Sequence, residues 1–323
     1  MLKDKIKINQ LALRNRIVMP PMATGKAVRG VPDDNLISYY AERADATALI
    51  IVEHEYVSPE GMAHNTQLSM ADDTVIPAYR KLTATVQARG AAIFAQINHA
   101  GAVAQDSGLT PISPSGISIR DTGMKSEVMT LEDIDRVKDC FVNAALRAKA
   151  AGFDGVEIHS AHGYLLNQFY SPLTNHRIDD YNGQTLAGRT KLHTDILRAV
   201  RAAVGSEYPI AIRFGACDYL EGGSSIEDIP EASRHFADAG ADLLDISGGL
   251  SGFMKKGNSQ PGWFAELSRP AKKSVQIPVL ITGGINSATE AEQLLEDGAA
   301  DLIGIGRAML KDHAWAVKAL NEV

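Results

Sequence analysis

The sequence predicts a (β/α)8 (TIM) barrel that occupies residues 1–323 as one domain. Eight short apolar runs, each typical of a strand buried on both faces, alternate with longer stretches of helical periodicity. No change in composition divides the chain, and no Gly-x-Gly-x-x-Gly follows the first strand, where a dinucleotide-binding sheet would carry it. An open doubly wound sheet is the alternative, but eight strand–helix units favour the closed barrel.

The first predicted element is a short N-terminal hairpin, which begins with the alternating residues 5–11. The predicted strands are residues 17–19, 48–52, 92–97, 155–158, 209–213, 242–246, 278–282 and 301–305. The predicted helices are residues 33–46, 74–89, 130–152, 185–204, 226–239, 263–274, 287–297 and a last one from about 313. Asp33 or Asp34 is the expected N-cap of the first helix, and Thr130 with Asp133 predicts a capping box for the third. Residues 98–130 are predicted to form a long loop, a length that is more often functional than accidental.

The composition is that of a globular protein with a sizeable core, since 45% of the residues are hydrophobic and 22% are charged. The formal net charge of −7 and the lack of any Lys or Arg block argue against nucleic acid or an anionic membrane as a partner. No run approaches the roughly 18 apolar residues of a membrane span, and the N-terminus lacks a signal-peptide core. The only cysteines, Cys140 and Cys217, cannot frame a disulfide scaffold or an iron–sulfur cluster, which predicts the reducing cytoplasm.

The most informative stretch is residues 156–164, in which a buried strand leads into His159, His162 and Tyr164. Two imidazoles can hold a carbonyl oxygen where negative charge develops, and a phenol can deliver a proton nearby. An isolated His-x-x-His is more often a loop feature than a site. The residues at the other strand ends therefore determine whether these side chains form a site, because the carboxyl ends of all eight strands meet at one face of a barrel. With no third ligand in the pattern, the histidines are predicted to bind an anion and no metal.

Two glycine-rich turns, Gly283-Gly284 and Gly306-Arg307, follow the seventh and eighth strands, where this architecture usually binds phosphate. The alternative is an ordinary strand-to-helix turn. Arg213 and Gln96 each end an apolar strand, so they are predicted to meet an anion and the edge of an amide-like ring, or else to form a polar network in the barrel mouth. A phosphate cradle, a cation and an amide together suggest a flat, phosphorylated cofactor such as flavin mononucleotide (FMN).

The chain resembles the Old Yellow Enzyme family of FMN-dependent ene-reductases, in its shorter bacterial, thermophilic-like branch, over almost its whole length. The resemblance rests on six motifs in order: Asn15-Arg-Ile-Val-Met-Pro-Pro-Met22, Gln96-Ile-Asn-His-Ala-Gly101, Glu157-Ile-His-Ser-Ala-His-Gly-Tyr-Leu165, Ser171-Pro-Leu-Thr-Asn-His-Arg177, Ile281-Thr-Gly-Gly-Ile285 and Ala300-Asp-Leu-Ile-Gly-Ile-Gly-Arg307.

The resemblance implies an enzyme that passes hydride from NADPH or NADH, through FMN N5, to the Cβ of an α,β-unsaturated carbonyl compound. His159 and His162 would bind the carbonyl oxygen or a phenolate inhibitor, and Tyr164 would protonate Cα. Arg213 would lie near flavin N1 and Gln96 at its pyrimidine edge. The remaining cofactor-binding residues would be Pro20, Pro21, Met22, Ala23 and His54 around the flavin, and Gly249, Gly283, Gly284, Gly306 and Arg307 towards the phosphate.

Three residues depart from the family pattern. Ala23 stands where Thr or Cys usually contacts flavin O4, which predicts a lower flavin potential. His54 replaces a small residue beside the flavin, so it either hydrogen-bonds near O4 or narrows the pocket. Gly25, a substrate-contacting position that often holds Tyr in this branch, implies a more open mouth. The resemblance implies a homo-oligomer, although the C-terminal arginine that some relatives lend to a neighbouring subunit is not expected here.

The sequence leaves alternatives to ene reduction open. The same flavin barrel can act on nitro compounds, on enoate or dienoyl thioesters, or on amines. A lyase or aldolase barrel with a Schiff-base lysine is disfavoured, because no Lys lies at a strand end. A binding protein without turnover would leave the His159, His162 and Tyr164 set without a purpose.

Overall fold

The structure, a computed structural model, describes residues 1–119, 125–255, 257–258 and 260–323. Eight parallel strands form a closed barrel in chain order, with the eighth pairing back onto the first. They are β1 (Ile17–Met19), β2 (Leu49–Ile51), β3 (Ala92–Asn98), β4 (Gly155–Ser160), β5 (Ile210–Gly215), β6 (Leu243–Ser247), β7 (Val279–Thr282) and β8 (Leu302–Gly304). The predicted barrel is confirmed.

A principal helix follows each strand and packs outside the barrel. These helices are α1 (Asp34–Ala41), α2 (Ile76–Gln87), α3 (Leu131–Ala150), α4 (Leu186–Val204), α5 (Ile229–Asp238), α6 (Ala265–Ser274), α7 (Ala288–Glu296) and α8 (Trp315–Glu322). The helices Leu165–Tyr170 and Arg307–Lys311 were not predicted. None of the described helices is long and apolar enough to cross a membrane.

The predicted caps are present. Asp33, and not Asp34, is the N-cap of α1, with its side chain accepting from the Leu36 amide. At α3 the Thr130 hydroxyl accepts from the Asp133 amide at 3.1 Å, and Asp133 accepts from the Thr130 amide at 2.9 Å. Each cap satisfies amides that the first helical turn leaves without a partner.

The amino-terminal end of the barrel is closed by the predicted hairpin, in which Ile6–Ile8 pairs antiparallel with Leu11–Leu13. Ile8 and Leu13 are buried in one apolar cluster with residues of the barrel wall, among them Val18, Leu49 and Phe94. Because this end is filled with apolar side chains, a ligand has access at the opposite end, where the strands terminate.

Two connections on that open end contain more structure than predicted. Residues 55–56 and 68–69 form a short parallel pair that extends the sheet beside the end of β3. Within the long loop of residues 98–130, Ile112–Ser113 pairs with Glu127–Val128. The part of this loop at residues 120–124 lies outside the described residues.

Candidate active site

A cavity of about 380 Å³ opens between the carboxyl ends of the strands. This volume suits a small-molecule ligand. Its lining includes Pro20, Pro21, Met22, Ala23, His54, Gln96, His159, His162, Tyr164, Arg213, Gly283, Gly284, Gly306 and Arg307. The structure thus brings together side chains that are separated by up to nearly the whole length of the chain.

Gly25 and Gly249 are the predicted site residues that do not appear in this described lining. Gly25 is exposed, with the Thr66 hydroxyl as the nearest group that an added Cβ would meet. Gly249 donates its amide to the Cys217 carbonyl, and an added Cβ would collide with Asp218. The glycine at position 249 is therefore accounted for by close packing of two loops.

Polar residues lie side by side on neighbouring strands beneath the cavity. Gln96 is in register with Glu157, and Arg213 lies between His159 and Asp245. Gln96 Nε2 donates to Glu157 Oε1 at 2.7 Å, and Arg213 Nη1 is 3.3 Å from Asp245 Oδ2. The polar network, which was the alternative reading for Gln96 and Arg213, is thus present, and both residues also line the cavity.

Burial controls the charges in this network. Burial raises the pKa of Asp245 to about 6, opposed by the adjacent Arg213 guanidinium. Burial, and then the negative charge of Asp245, raise the pKa of Glu157 well above its usual range. Ionising both carboxyl groups beside one guanidinium would leave one buried negative charge without a partner, which is costly in free energy. Burial therefore favours the protonated form of Glu157, while the adjacent Arg213 favours the charged form of Asp245.

His159 belongs to strand β4, which continues two residues beyond the predicted end. Its side chain is on the same face as Glu157, two residues earlier, and points into the barrel. Burial, and then the neighbouring His162, lower the pKa of His159 well below its ordinary value. The ring is therefore neutral, so it can act on a ligand as a hydrogen-bonding group and not as a cation.

A tight turn directs His162 and Tyr164 back towards His159. His162 has φ +61° and Gly163 has φ +78°, so two successive residues adopt left-handed conformations. The ring centroid of His159 is 5.1 Å from that of His162 and 5.1 Å from that of Tyr164. His162 Nε2 lies 2.8 Å from Ser247 Oγ, which anchors the ring to β6. The three predicted catalytic side chains form one cluster.

Across the mouth, Gly283 and Gly284 follow β7, and Gly306 and Arg307 follow β8. A Cβ at Gly283 or Gly284 would collide with the indole of Trp263, and the Arg307 guanidinium lies 5.0 Å from the centre of that indole. The glycine pair is thus required for packing against Trp263, a reason that the sequence did not provide. Phosphate binding by these turns stays a prediction.

The sequence did not predict the apolar residues that the loop after β6 adds to the lining. Phe253 and Met254, in the loop after β6, line the cavity although they are 61% and 46% exposed. The Phe253 ring lies 6.0 Å from that of His162, and Trp263 lines the cavity as well. No sequence pattern marks apolar side chains in a glycine-rich loop as ligand-binding residues, so these residues could not be predicted.

Comparison with known proteins gives a consistent result. Residues 3–323 match the model of the NADH:flavin oxidoreductase / NADH oxidase family. The chain is 34% identical to an NADPH dehydrogenase of Geobacillus thermodenitrificans, over 97% of this chain and 92% of that protein. It is 38% identical to an NADH oxidase of Thermoanaerobacter brockii and to a metal reductase of Desulforamulus reducens, over 97% and 98% of this chain.

The chain spans about half the length of the last two relatives, 50% and 48%. Among solved structures, a 2-naphthoyl-CoA reductase complex superposes with a TM-score of 0.93 and 25% sequence identity. That match covers 99% of this chain and 52% of the other.

Proposed function

The chain belongs to the NADH:flavin oxidoreductase (Old Yellow Enzyme) family, and on that premise we propose that it is an ene-reductase acting on α,β-unsaturated carbonyl compounds. Membership in this family supports an FMN-dependent oxidoreductase that uses NADH or NADPH. The observation that carries the proposed substrate class is the cluster of His159, His162 and Tyr164 at the cavity.

The residues around the cavity fit FMN. Gln96 and Arg213 offer an amide and a guanidinium to a polar ring edge, and on the opposite side of the mouth Arg307 offers a cation to a phosphate. Pro20 and Met22 supply apolar surface for a flat ring. Bound FMN supplies the transfer of hydride between the nicotinamide and the substrate. The side chains of this protein bind the cofactor and the substrate, orient the substrate and deliver the proton to it.

His159 and His162 donate hydrogen bonds to the carbonyl oxygen of the substrate, where negative charge develops as hydride reaches Cβ. The pair His162 Nε2–Ser247 Oγ fixes one of the rings for this contact. Tyr164 transfers its phenolic proton to Cα, so that one hydride and one proton saturate the double bond. A neutral His159 leaves the proton transfer to Tyr164.

A Tyr164→Phe variant tests this assignment in stopped flow. We expect NAD(P)H to bleach the flavin of the variant at the wild-type rate, because the phenol takes no part in that step. Reoxidation by cyclohexenone should slow by about 100-fold or more, the usual contribution of a positioned general acid. Reoxidation at the wild-type rate would remove Tyr164 from the mechanism.

A second substrate class, unsaturated thioesters, is favoured by the likeness to the 2-naphthoyl-CoA reductase complex. The exposed Phe253 and Met254 also offer apolar surface to a larger substrate. A reoxidation panel of cyclohexenone, a nitroaromatic compound and an enoyl thioester separates these classes. Preferential turnover of the thioester or the nitroaromatic compound would replace the enone proposal.

A further inference from the structure

His54 lies just beyond β2 and lines the same cavity as the proposed catalytic cluster. Its side chain is 8% exposed. Its ring centroid is 5.2 Å from that of Tyr164, 6.1 Å from that of His159 and 5.8 Å from that of the half-buried His64. It is thus a further imidazole beside the proton donor and the carbonyl-binding pair.

The hydrogen bonds around His54 determine which ring nitrogen carries the proton. Gln67 Oε1 accepts from the Ala63 amide at 2.7 Å, and a backbone amide can only donate. This contact fixes the Gln67 amide, so the group 2.7 Å from His54 Nδ1 is the Gln67 NH2. The same NH2 also lies 3.3 Å from the His54 carbonyl, which can only accept. Nδ1 is therefore an acceptor, and the neutral ring carries its proton on Nε2.

The surroundings keep this ring neutral and in place. Burial, and then the nearby His64, lower the pKa of His54 to about 3. Asn98 Nδ2 also faces Nδ1, at 3.4 Å, and both Gln67 and Asn98 are buried. The two nitrogens of an imidazole point in nearly opposite directions. Since Nδ1 faces Gln67 and Asn98 and the residue lines the cavity, the Nε2–H group is inferred to be on the cavity side of the ring.

We propose that His54 is a further substrate-binding residue, whose Nε2–H donates a hydrogen bond to the oxygen of a bound carbonyl compound or phenolate. The inference rests on the proposed function, because it places His54 in the same ligand pocket as His159 and Tyr164. A fixed donor near the proton donor favours ligands that carry an acceptor oxygen on that side.

The test uses the oxidised holoenzyme and 4-nitrophenol, whose visible absorption distinguishes bound phenolate from bound phenol. His54→Phe keeps an aromatic ring but has no N–H, and it should weaken 4-nitrophenolate binding by about tenfold. His54→Gln keeps an N–H near the position of Nε2 and should remain within about threefold of the wild type. Equal affinity of the Phe variant, or an equal loss in the Gln variant, would overturn the proposal.

A second measurement uses only the wild-type protein, so it does not depend on how a variant folds. Nitrogen-15 NMR of the histidine rings in the wild-type holoenzyme should show His54 neutral and protonated at Nε2, both at neutral pH and one pH unit below the ordinary imidazole pKa of about 6.5. Protonation at Nδ1 would contradict the inference. Neither readout involves turnover, so a chain that binds 4-nitrophenolate through His54 but reduces no enone would refute the proposed function alone.

Discussion

At the scale of single residues, the polar members of the site could be predicted from their place at the strand ends and the apolar segment 20–23 from the family resemblance, but the apolar residues of the loop after β6 could not. His159, Arg213 and Gln96 stood out because each polar side chain interrupts an apolar strand. Trp263 and Phe253 gave no such signal, since an apolar residue in a loop is common and needs no special explanation. The tautomer of His54 could not be predicted from the sequence either, because Gln67 contacts His54 only in the folded chain.

Ala23 is the residue whose chemistry departs most clearly from the family pattern. It is exposed at the cavity, and the segment around it is held by Thr24, which donates its amide and its hydroxyl to Glu53 at 2.8 and 2.6 Å. The methyl group cannot donate a hydrogen bond to flavin O4. With the flavin placed as proposed, its reduced form would lack a contact worth about 1 kcal/mol, which is about 20 mV for a two-electron couple.

We therefore expect Ala23→Cys to raise the flavin potential by about 20 mV, measured by spectroelectrochemistry. Ala88→Cys is a matched control, because Ala88 is an exposed residue at the end of α2, away from the described cavity lining. An unchanged potential in the Ala23 variant would show that this position does not tune the flavin.

At the scale of elements, the strands were predicted to within about two residues, and the two largest errors, at the ends of β4 and β5, have a common cause. Strands β4 and β5 continue to Ser160 and Gly215, beyond the predicted ends at 158 and 213. The prediction stopped near the first polar side chain, but the inner wall of this barrel is polar at its open end. The helix Leu165–Tyr170 was missed because it is short and buried on all sides, so it has no amphipathic pattern.

That short helix positions the turn that carries His162 and Tyr164 through Gln168, which is fully buried. Gln168 Oε1 accepts from the Ala102 amide at 3.0 Å, and Nε2 donates to the Ala100 and Gly163 carbonyls at 3.0 and 2.8 Å. A single side chain thus joins the loop after β3 to the turn between His162 and Tyr164.

Gln168→Met keeps the side-chain size but removes these hydrogen bonds. We expect the free energy of unfolding to fall by about 2–4 kcal/mol in urea denaturation, because buried backbone groups lose their partners. The same substitution at the exposed Gln184 should change it by less than about 0.5 kcal/mol. Equal effects at the two positions would argue against a positioning role for Gln168.

At the scale of the whole molecule, apolar packing that stabilises the fold lies at one end of the barrel, and the polar residues of the candidate site lie at the other. The hairpin fills the amino-terminal end with apolar side chains, and the titratable groups of the site lie at the other end. A further buried histidine, His193 of α4, lies in the layer between barrel and helices. Its Nε2 is 2.8 Å from Ser160 Oγ of β4, and its ring lies 5.4 Å from that of Phe236 of α5.

Burial lowers the pKa of His193 to about 3, whereas an unfolded chain has a histidine pKa of about 6.5. Above pH 6.5 the ring is neutral in both states and does not affect the pH dependence. Between about pH 6.5 and pH 3 the unfolded state binds a proton that the folded state does not. Stability is therefore lost as the pH falls, by about 1.4 kcal/mol per pH unit for this one group.

His193→Gln removes this proton uptake and keeps an amide that can reach Ser160. In denaturant titrations with excess FMN, we expect the stability of the variant relative to wild type to increase by about 1.4 kcal/mol between pH 6 and pH 5. Other titrating groups are common to both proteins and cancel in this difference. His176→Gln, at an exposed histidine, is the matched control substitution. A pH-independent difference for His193→Gln would mean that the folded protein accommodates a charged ring between β4 and α5.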